Sequence, residues 1–204
     1  MNYAIILSET AHIIIDIQND FCSPDGISFH KGKGLTQVQG MMPKLQEFTE
    51  LLRQQNVLTI FTKFISNEEV SPGNMKAHWQ VNQGKFDAIC LPHTKGADLY
   101  LLQPEKTDVI IEKRYYDAFA GTNLKEILVQ KGIKNIIITG VRTEICVDNT
   151  AKRAFSEGFT VFVIEDLVGT NDDKLDVHKA ALAILNKYTA FVVDSQKLLS
   201  LVKV

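Results

Sequence analysis

An aspartate, a lysine and a cysteine stand where three apolar runs of this 204-residue chain come to an end. Asp16 follows AHIII, Lys113 closes TDVIIEK, and Cys146 comes shortly after NIIITGV, in the segment GVRTEIC. A thiol, a carboxylate and an ammonium in one place suit nucleophilic attack on a carbonyl carbon. The sulfur attacks, the carboxylate takes the thiol proton, and the cation balances the charge. Cys146 opens a predicted helix, where the positive end of the macrodipole and a neighbouring Lys113 favour the thiolate. The expectation is therefore a lowered thiol pKa.

Convergence of the three groups depends on the elements that carry them. Six β-branched runs read as buried strands: 11–17, 56–64, 107–113, 135–141, 160–167 and 189–194. They are nearly continuous in apolar character, which fits a parallel sheet covered on both faces better than an antiparallel sheet with one wet face. Between them lie helical segments at 37–55, 122–131, 145–157, 174–187 and 195–203, with Thr36, Thr122 and Ser195 as predicted N-caps and Gly132 and Gly158 as terminators. The expected fold is a single α/β domain over residues 1–204, a doubly wound, mainly parallel, six-stranded sheet with helices on both faces. In such a sheet ligands bind beyond the C-terminal ends of the strands, which is where Asp16, Lys113 and Cys146 fall. Residues 65–106 interrupt the alternation with SPGN, LPHT and QPEK turn signals and the single tryptophan, Trp79, and read as a long functional loop.

Composition narrows the classes further. Hydrophobic residues are 45% and charged residues 23% of the chain, so it has the material for a folded core. A formal charge of -2 gives no basic footprint for nucleic acid or an anionic membrane surface, which leaves a small molecule as the expected partner. The opening segment MNYAIILSETAHIII lacks a basic leader and is broken by Glu9 and His12, so the reading is a cytoplasmic protein with no spanning helix. Three widely spaced cysteines suit neither a disulfide framework nor a zinc site, and Cys22 and Cys90 read as buried small hydrophobes. A dinucleotide-binding domain has the same strand pattern, but DIQNDFC stands where GxGxxG is required.

Four segments, IIIDIQNDF (13–21), VIIEKRYYDAFAGTNL (109–124), ITGVRTEICVDNTAKRAFSEGF (138–159) and VFVIEDLVG (161–169), resemble the isochorismatase-like cysteine hydrolases. That family includes nicotinamidases, N-carbamoylsarcosine amidases and ureidoacrylate amidohydrolases, and the likeness runs over almost the whole chain. It implies Cys146 as nucleophile, Asp16 as general base and Lys113 as third member of the triad. It also implies a cis peptide at Val141–Arg142, which turns the backbone N–H groups of Arg142 and Cys146 toward an oxyanion. The implied reaction is hydrolysis of a small amide, carbamoyl or ureido compound through a thioester, by a homo-oligomer, dimer or tetramer, with no cofactor.

Within that resemblance several alternatives stay open. Nicotinamidases of the family hold a metal ion with an Asp-x-His pair and a further His. The corresponding FTKFISNEEVSPGN has no such pair and His78 and His93 are isolated, so no metal is expected and a nicotinamidase is disfavoured. Isochorismatase itself cleaves a vinyl ether, and proteins resembling it commonly lack the cysteine, so Cys146 speaks against that reaction. A catalytically silent binding or scaffold protein of the same fold is a further alternative. Phe21, Trp79, Tyr115 and Phe119 are expected pocket walls, set against ordinary aromatic core. Arg142 and Glu144 either bind a polar substrate group, pair with each other or face a neighbouring subunit. Gln18, Asn19 and Asp20 read as turn formers, and Glu165 and Asp166 as capping groups.

Overall fold

The computed structural model describes residues 4–84 and 89–203. In chain order the strands are β1 (Ile5–Ile6), β2 (Thr10–Ile15), β3 (Leu58–Phe64), β4 (Val109–Lys113), β5 (Asn135–Val141), β6 (Thr160–Gly169), β7 (Phe191–Val193) and β8 (Val202–Lys203). The helices are α1 (Asn19–Cys22), α2 (Ile27–His30), α3 (Thr36–Gln54), α4 (Gly73–Gln83), α5 (Leu124–Gln130), α6 (Asp148–Ser156), α7 (Leu175–Tyr188) and α8 (Ser195–Leu201). Six strands form one sheet in the order β4-β3-β2-β5-β6-β7, with every neighbour parallel; β1 and β8 pair separately. The order reverses direction between β2 and β5, so a crevice opens there beyond the strand ends.

Both faces of the sheet are covered, which is why the strands read as apolar runs rather than alternations. Ile14, Phe61, Ile137 and Phe162 pack on one face against Val38, Met42, Leu45 and Phe48 of α3 and Leu198 of α8. Their sequence neighbours Ile13, Ile15, Ile60, Ile136 and Ile138 pack on the other against Leu124 and Leu128 of α5, Ala151 and Ala154 of α6 and Leu185 of α7. Where β5 passes β2 the backbones close up. Gly140 has φ 105°, and a Cβ there would stand 2.1 Å from the Ile15 carbonyl oxygen, so only glycine fits beside the end of β2.

Three predicted caps differ from the sequence reading by one position. Thr36 is the first residue of α3, and its N–H and that of Gln37 are taken by the Asp172 carboxylate at 3.0 and 3.3 Å. Asp194, not Ser195, caps α8 by accepting from the Lys197 N–H at 2.7 Å. Thr122 lies before the Asn123 N-cap and accepts from the Leu124 N–H at 3.3 Å. Gly132 and Gly158 do follow the ends of α5 and α6, at φ 67° and 92°.

The stretch 65–106 is more structured than a loop. It contains α4, which starts after Pro72 and stops at Gly84 in the left-handed conformation. Residues 85–88 of the stretch lie outside the described residues.

Candidate active site

Asp16 leaves β2 with φ 48° and a fully buried side chain. Lys113 ends β4, two strands away, and its ammonium reaches over β3 to stand 2.7 Å from the Asp16 Oδ2, both side chains wholly shielded from solvent. The other carboxylate oxygen accepts a 2.6 Å bond from the Thr62 hydroxyl of the intervening strand. The ammonium also donates to the carbonyls of Tyr115 and Tyr116 at 3.1 Å each. A buried ion pair of this kind is tolerable only because its remaining donors and acceptors are occupied.

Cys146 lies in a π-helical turn, Thr143–Val147, between β5 and α6, and the Val141–Arg142 peptide before it is cis. Its thiol is within hydrogen-bonding reach of both Asp16 and Lys113. The expected thiolate is not the resting form. Burial pushes the Cys146 pKa up to about 12; Lys113 pulls it down, while Asp16, a neighbouring acceptor, adds to the rise. Desolvation outweighs the macrodipole and cation because the sulfur is almost entirely covered, 6% exposed. Burial also opposes the Lys113 ammonium, yet Asp16 and Cys146 beside it hold its pKa above the usual lysine value. The set at rest is a neutral thiol beside an ion pair, with the carboxylate placed to receive the proton.

A polar network holds the turn from behind. His178 of α7 bonds the Thr143 hydroxyl at 2.9 Å through Nδ1 and meets Gln37 of α3 at 3.2 Å through Nε2. The Gln37 side-chain oxygen accepts from the Thr170 N–H at 3.2 Å, and the Thr170 hydroxyl donates to Glu144 at 2.8 Å. Glu144 thus bonds Thr170 rather than forming an ion pair with Arg142.

A cavity of about 150 Å³ opens in front of the sulfur, small beside the roughly 300–1,000 Å³ of sites for drug-sized ligands. Phe21, Phe64, Trp79 and Tyr116 form its aromatic walls. Trp79 Nε1 donates to the Tyr116 hydroxyl at 3.0 Å, and the Phe64 ring stacks on Tyr116 at 6.1 Å. Of the expected wall residues, Phe21 and Trp79 line the cavity, and so does Arg142, one of the candidate substrate-binding groups. Tyr115 does not, because the chain leaving β4 presents Tyr116 there and uses the Tyr115 carbonyl for Lys113. Phe119 is buried in the core on the α5–α6 side, its ring 6.2 Å from that of Phe159.

Ser28, Lys31 and Lys33, on and after α2, also line the cavity, and sequence reasoning passed over them. The Asp-Ile-Gln-Asn-Asp segment ties the surrounding chain together. Gln18 donates to the Phe64 and Ala97 carbonyls and accepts from the Phe64 N–H, all within 2.9 Å. Asn19 donates to the Lys95 and Asp98 carbonyls, and Asp20 accepts from the Cys90 N–H at 2.7 Å. These side chains do more than shape a turn. Asp166 accepts from the Ser195 N–H and hydroxyl at the start of α8, the capping role read for it, while Glu165 is exposed.

Among the described residues no histidine, aspartate or glutamate lines the cavity, and no group of three or more His, Cys, Asp or Glu is placed to hold a metal ion. The segment FTKFISNEEVSPGN, residues 61–74, contains no Asp-x-His pair. Arg142, Lys31 and Lys33 on the walls are unsuited to a cation.

Comparison with known proteins agrees with this architecture. The isochorismatase domain model matches residues 10–197. Nicotinamidase 3 of Arabidopsis thaliana is 29% identical over 192 residues, covering 92% of this chain and 86% of that one. A ureidoacrylate amidohydrolase of Agrobacterium fabrum is 24% identical over 171 residues, 78% of this chain and 75% of that one. Among solved structures, a cysteine hydrolase from Pseudomonas syringae pv. phaseolicola superposes with a TM-score of 0.83 at 21% identity, covering 98% of this chain and 94% of that one. The chain belongs to the isochorismatase family.

Proposed function

We propose that the protein hydrolyses the C–N bond of a small amide, carbamoyl or ureido compound through a thioester on Cys146, without a metal ion. The observation that carries this reading is the solvent-shielded Asp16–Lys113 pair, 2.7 Å apart, in contact with the thiol. As the Sγ–C bond forms, the thiol proton passes to Asp16 and the carbonyl electron pair moves onto oxygen. The backbone N–H groups of Arg142 and Cys146 receive that oxyanion; one such donor is typically worth about 10²- to 10³-fold in rate. The intermediate collapses, the C–N bond breaks, and Asp16 returns the proton to the departing nitrogen, which leaves as ammonia or an amine. Water then gives a proton to Asp16 and attacks the thioester carbon; the C–S bond breaks and the thiol is restored. Lys113 holds the Asp16 carboxylate in place for both halves.

Ammonia release from an amide and ureide panel is expected with wild type and lost in Cys146→Ala, with an acyl adduct on Cys146 trapped by mass spectrometry. Full turnover in the variant overturns the reading. The likeness to a nicotinamidase across 92% of the chain supports a second reading, so nicotinamide belongs in the panel, with and without added zinc. Turnover of nicotinamide that requires zinc would favour it over ours.

We place the protein in the cytoplasm as a homo-oligomer. Three free cysteines support a reducing compartment. Phe155, Ile184 and Tyr188, exposed on α6 and α7, support self-association. Among the described residues no helix is long and apolar enough to cross a membrane.

A further inference from the structure

His178, on α7, is buried and does not line the cavity, yet both of its ring nitrogens are hydrogen-bonded. Its partners decide which nitrogen holds the proton. The Thr170 N–H, which can only donate, meets the Gln37 side-chain oxygen at 3.2 Å, so the amide turns its NH2 end to His178 Nε2, 3.2 Å away. Nε2 must then accept, and Nδ1 carries the hydrogen that it donates to the Thr143 hydroxyl at 2.9 Å. Thr143 is wholly buried and begins the π-helical turn; three positions on stands Cys146, source of both the sulfur and one proposed oxyanion donor. Thr170, which orients Gln37, also donates its hydroxyl to Glu144, the residue after Thr143, at 2.8 Å. The turn is thus tied at two adjacent residues to α3, α7 and the end of β6. An imidazolium breaks this chain. With hydrogens on both nitrogens, Nε2–H and the Gln37 NH2 face each other as two donors, and rotating the amide only moves the clash to the Thr170 N–H.

Resting on the amide-hydrolase reading, we propose that His178 is a positioning residue for the hydrolysis. Its neutral, Nδ1-protonated ring fixes Thr143, and through it the sulfur and N–H of Cys146, so that a second proton on the ring slackens the turn and lowers turnover. The surroundings favour the neutral ring. Burial lowers the His178 pKa; Glu144 of the turn opposes that, and Lys179, next on α7, adds to it. Charges on the other elements packed against α7 are engaged elsewhere: Asp172 with the Thr36 and Gln37 N–H groups, Asp173 with Lys174, and on α6 Asp148 with Lys152 and Arg153 with Glu157. The neutral form therefore prevails at pH 7 and is lost as the pH falls, at a point below 6.5.

The test uses an amide that the wild type hydrolyses. His178→Leu and Thr143→Val should each lower kcat by about 10- to 100-fold with KM little changed. The double variant should lose no more than the worse single one, because each change breaks the same contact. Thr143→Val keeps the shape of its side chain and carries the test if His178→Leu does not fold. His178→Asn, whose NH2 can replace Nδ1–H but does not titrate, should recover part of the loss. Between pH 7 and pH 4.5 the wild type should lose at least about two-fold more of its kcat than this variant does. Parallel pH profiles, additive losses or losses carried by KM overturn the proposal. Side-chain ¹⁵N NMR of the wild type gives a readout independent of turnover: His178 should hold its proton on Nδ1 at pH 7 and gain a second on acidification. A proton on Nε2, or a cation, at pH 7 overturns it. If no amide is turned over, the amide-hydrolase reading fails, and the NMR signature alone decides whether His178 holds Thr143 in this way.

Discussion

The two edges of the sheet each carry a cavity and a charged pair, and they differ in what the charges face. Near the N-terminal edge, Arg53 pairs with Asp108 and Glu105 beside a cavity of about 320 Å³. There Arg53 also donates to the Gln103 carbonyl, and Asp108 accepts from the Glu105 N–H. At the C-terminal edge the cavity is smaller, about 150 Å³, but a wholly desolvated pair abuts a thiol. Size alone would choose the wrong edge. What marks the other is charge held out of water in contact with a group that can react.

Cys146→Ala should lower kcat on a confirmed amide by on the order of 10⁴- to 10⁶-fold while thermal unfolding shifts little. Asp16→Asn comes next. It strands the Lys113 ammonium in a site without solvent and should reduce the unfolding free energy in urea by about 3–5 kcal/mol. Asp108→Asn, the matching change at the other edge, should cost about 1.5–3 kcal/mol and leave kcat within two-fold. Equal stability losses at the two edges would erase the distinction.

A smaller effect comes from His12, in β2 between the edges. It is fully buried, and burial, with Arg53 adding to it, lowers its pKa to about 3. The unfolded chain binds a proton near pH 6.5 and the folded chain does not, so the neutral imidazole's contribution is complete above pH 6.5 and is lost as pH falls toward 3. Urea unfolding should show about 2 kcal/mol less stability from this group at pH 5 than at pH 7, a difference absent in His12→Leu. The smallest expected change is Trp79→Phe. It removes the bond to Tyr116, should cost about 1 kcal/mol, and should raise KM a few-fold with kcat preserved.

The strands were readable in the sequence because burial on both faces leaves each one a β-branched run with few polar interruptions. Asp16 and Lys113 were readable for the complementary reason: a charge at the end of such a run is conspicuous. The short helices α1 and α2 carry no periodic signal, and α4, Gly-Asn-Met-Lys-Ala-His-Trp-Gln-Val-Asn-Gln, is polar enough to pass for loop despite Pro72 before it and Gly84 after it. The thiol's protonation was misjudged because helix position is local, whereas desolvation comes from core packing that only the tertiary fold assembles. Tyr115 was preferred to Tyr116 because direction after a strand end depends on backbone dihedrals that no side-chain pattern reveals. Ser28, Lys31 and Lys33 gave no signal, since the Asp20 side chain that ties their segment in reaches Cys90, seventy positions away.

The Asp16–Lys113 pair spans β3, which has a consequence for how the molecule acquires its activity. Neither charge can leave water at acceptable cost until the strand between them is seated and Thr62 has turned its hydroxyl to the carboxylate. Their partners are distant in sequence, and parallel pairing of distant segments comes late in folding. A partly assembled chain therefore has a hydrated lysine, a hydrated aspartate and an ordinary cysteine. The three groups are therefore brought together only in the assembled sheet, a placement that no local segment of the chain can make by itself.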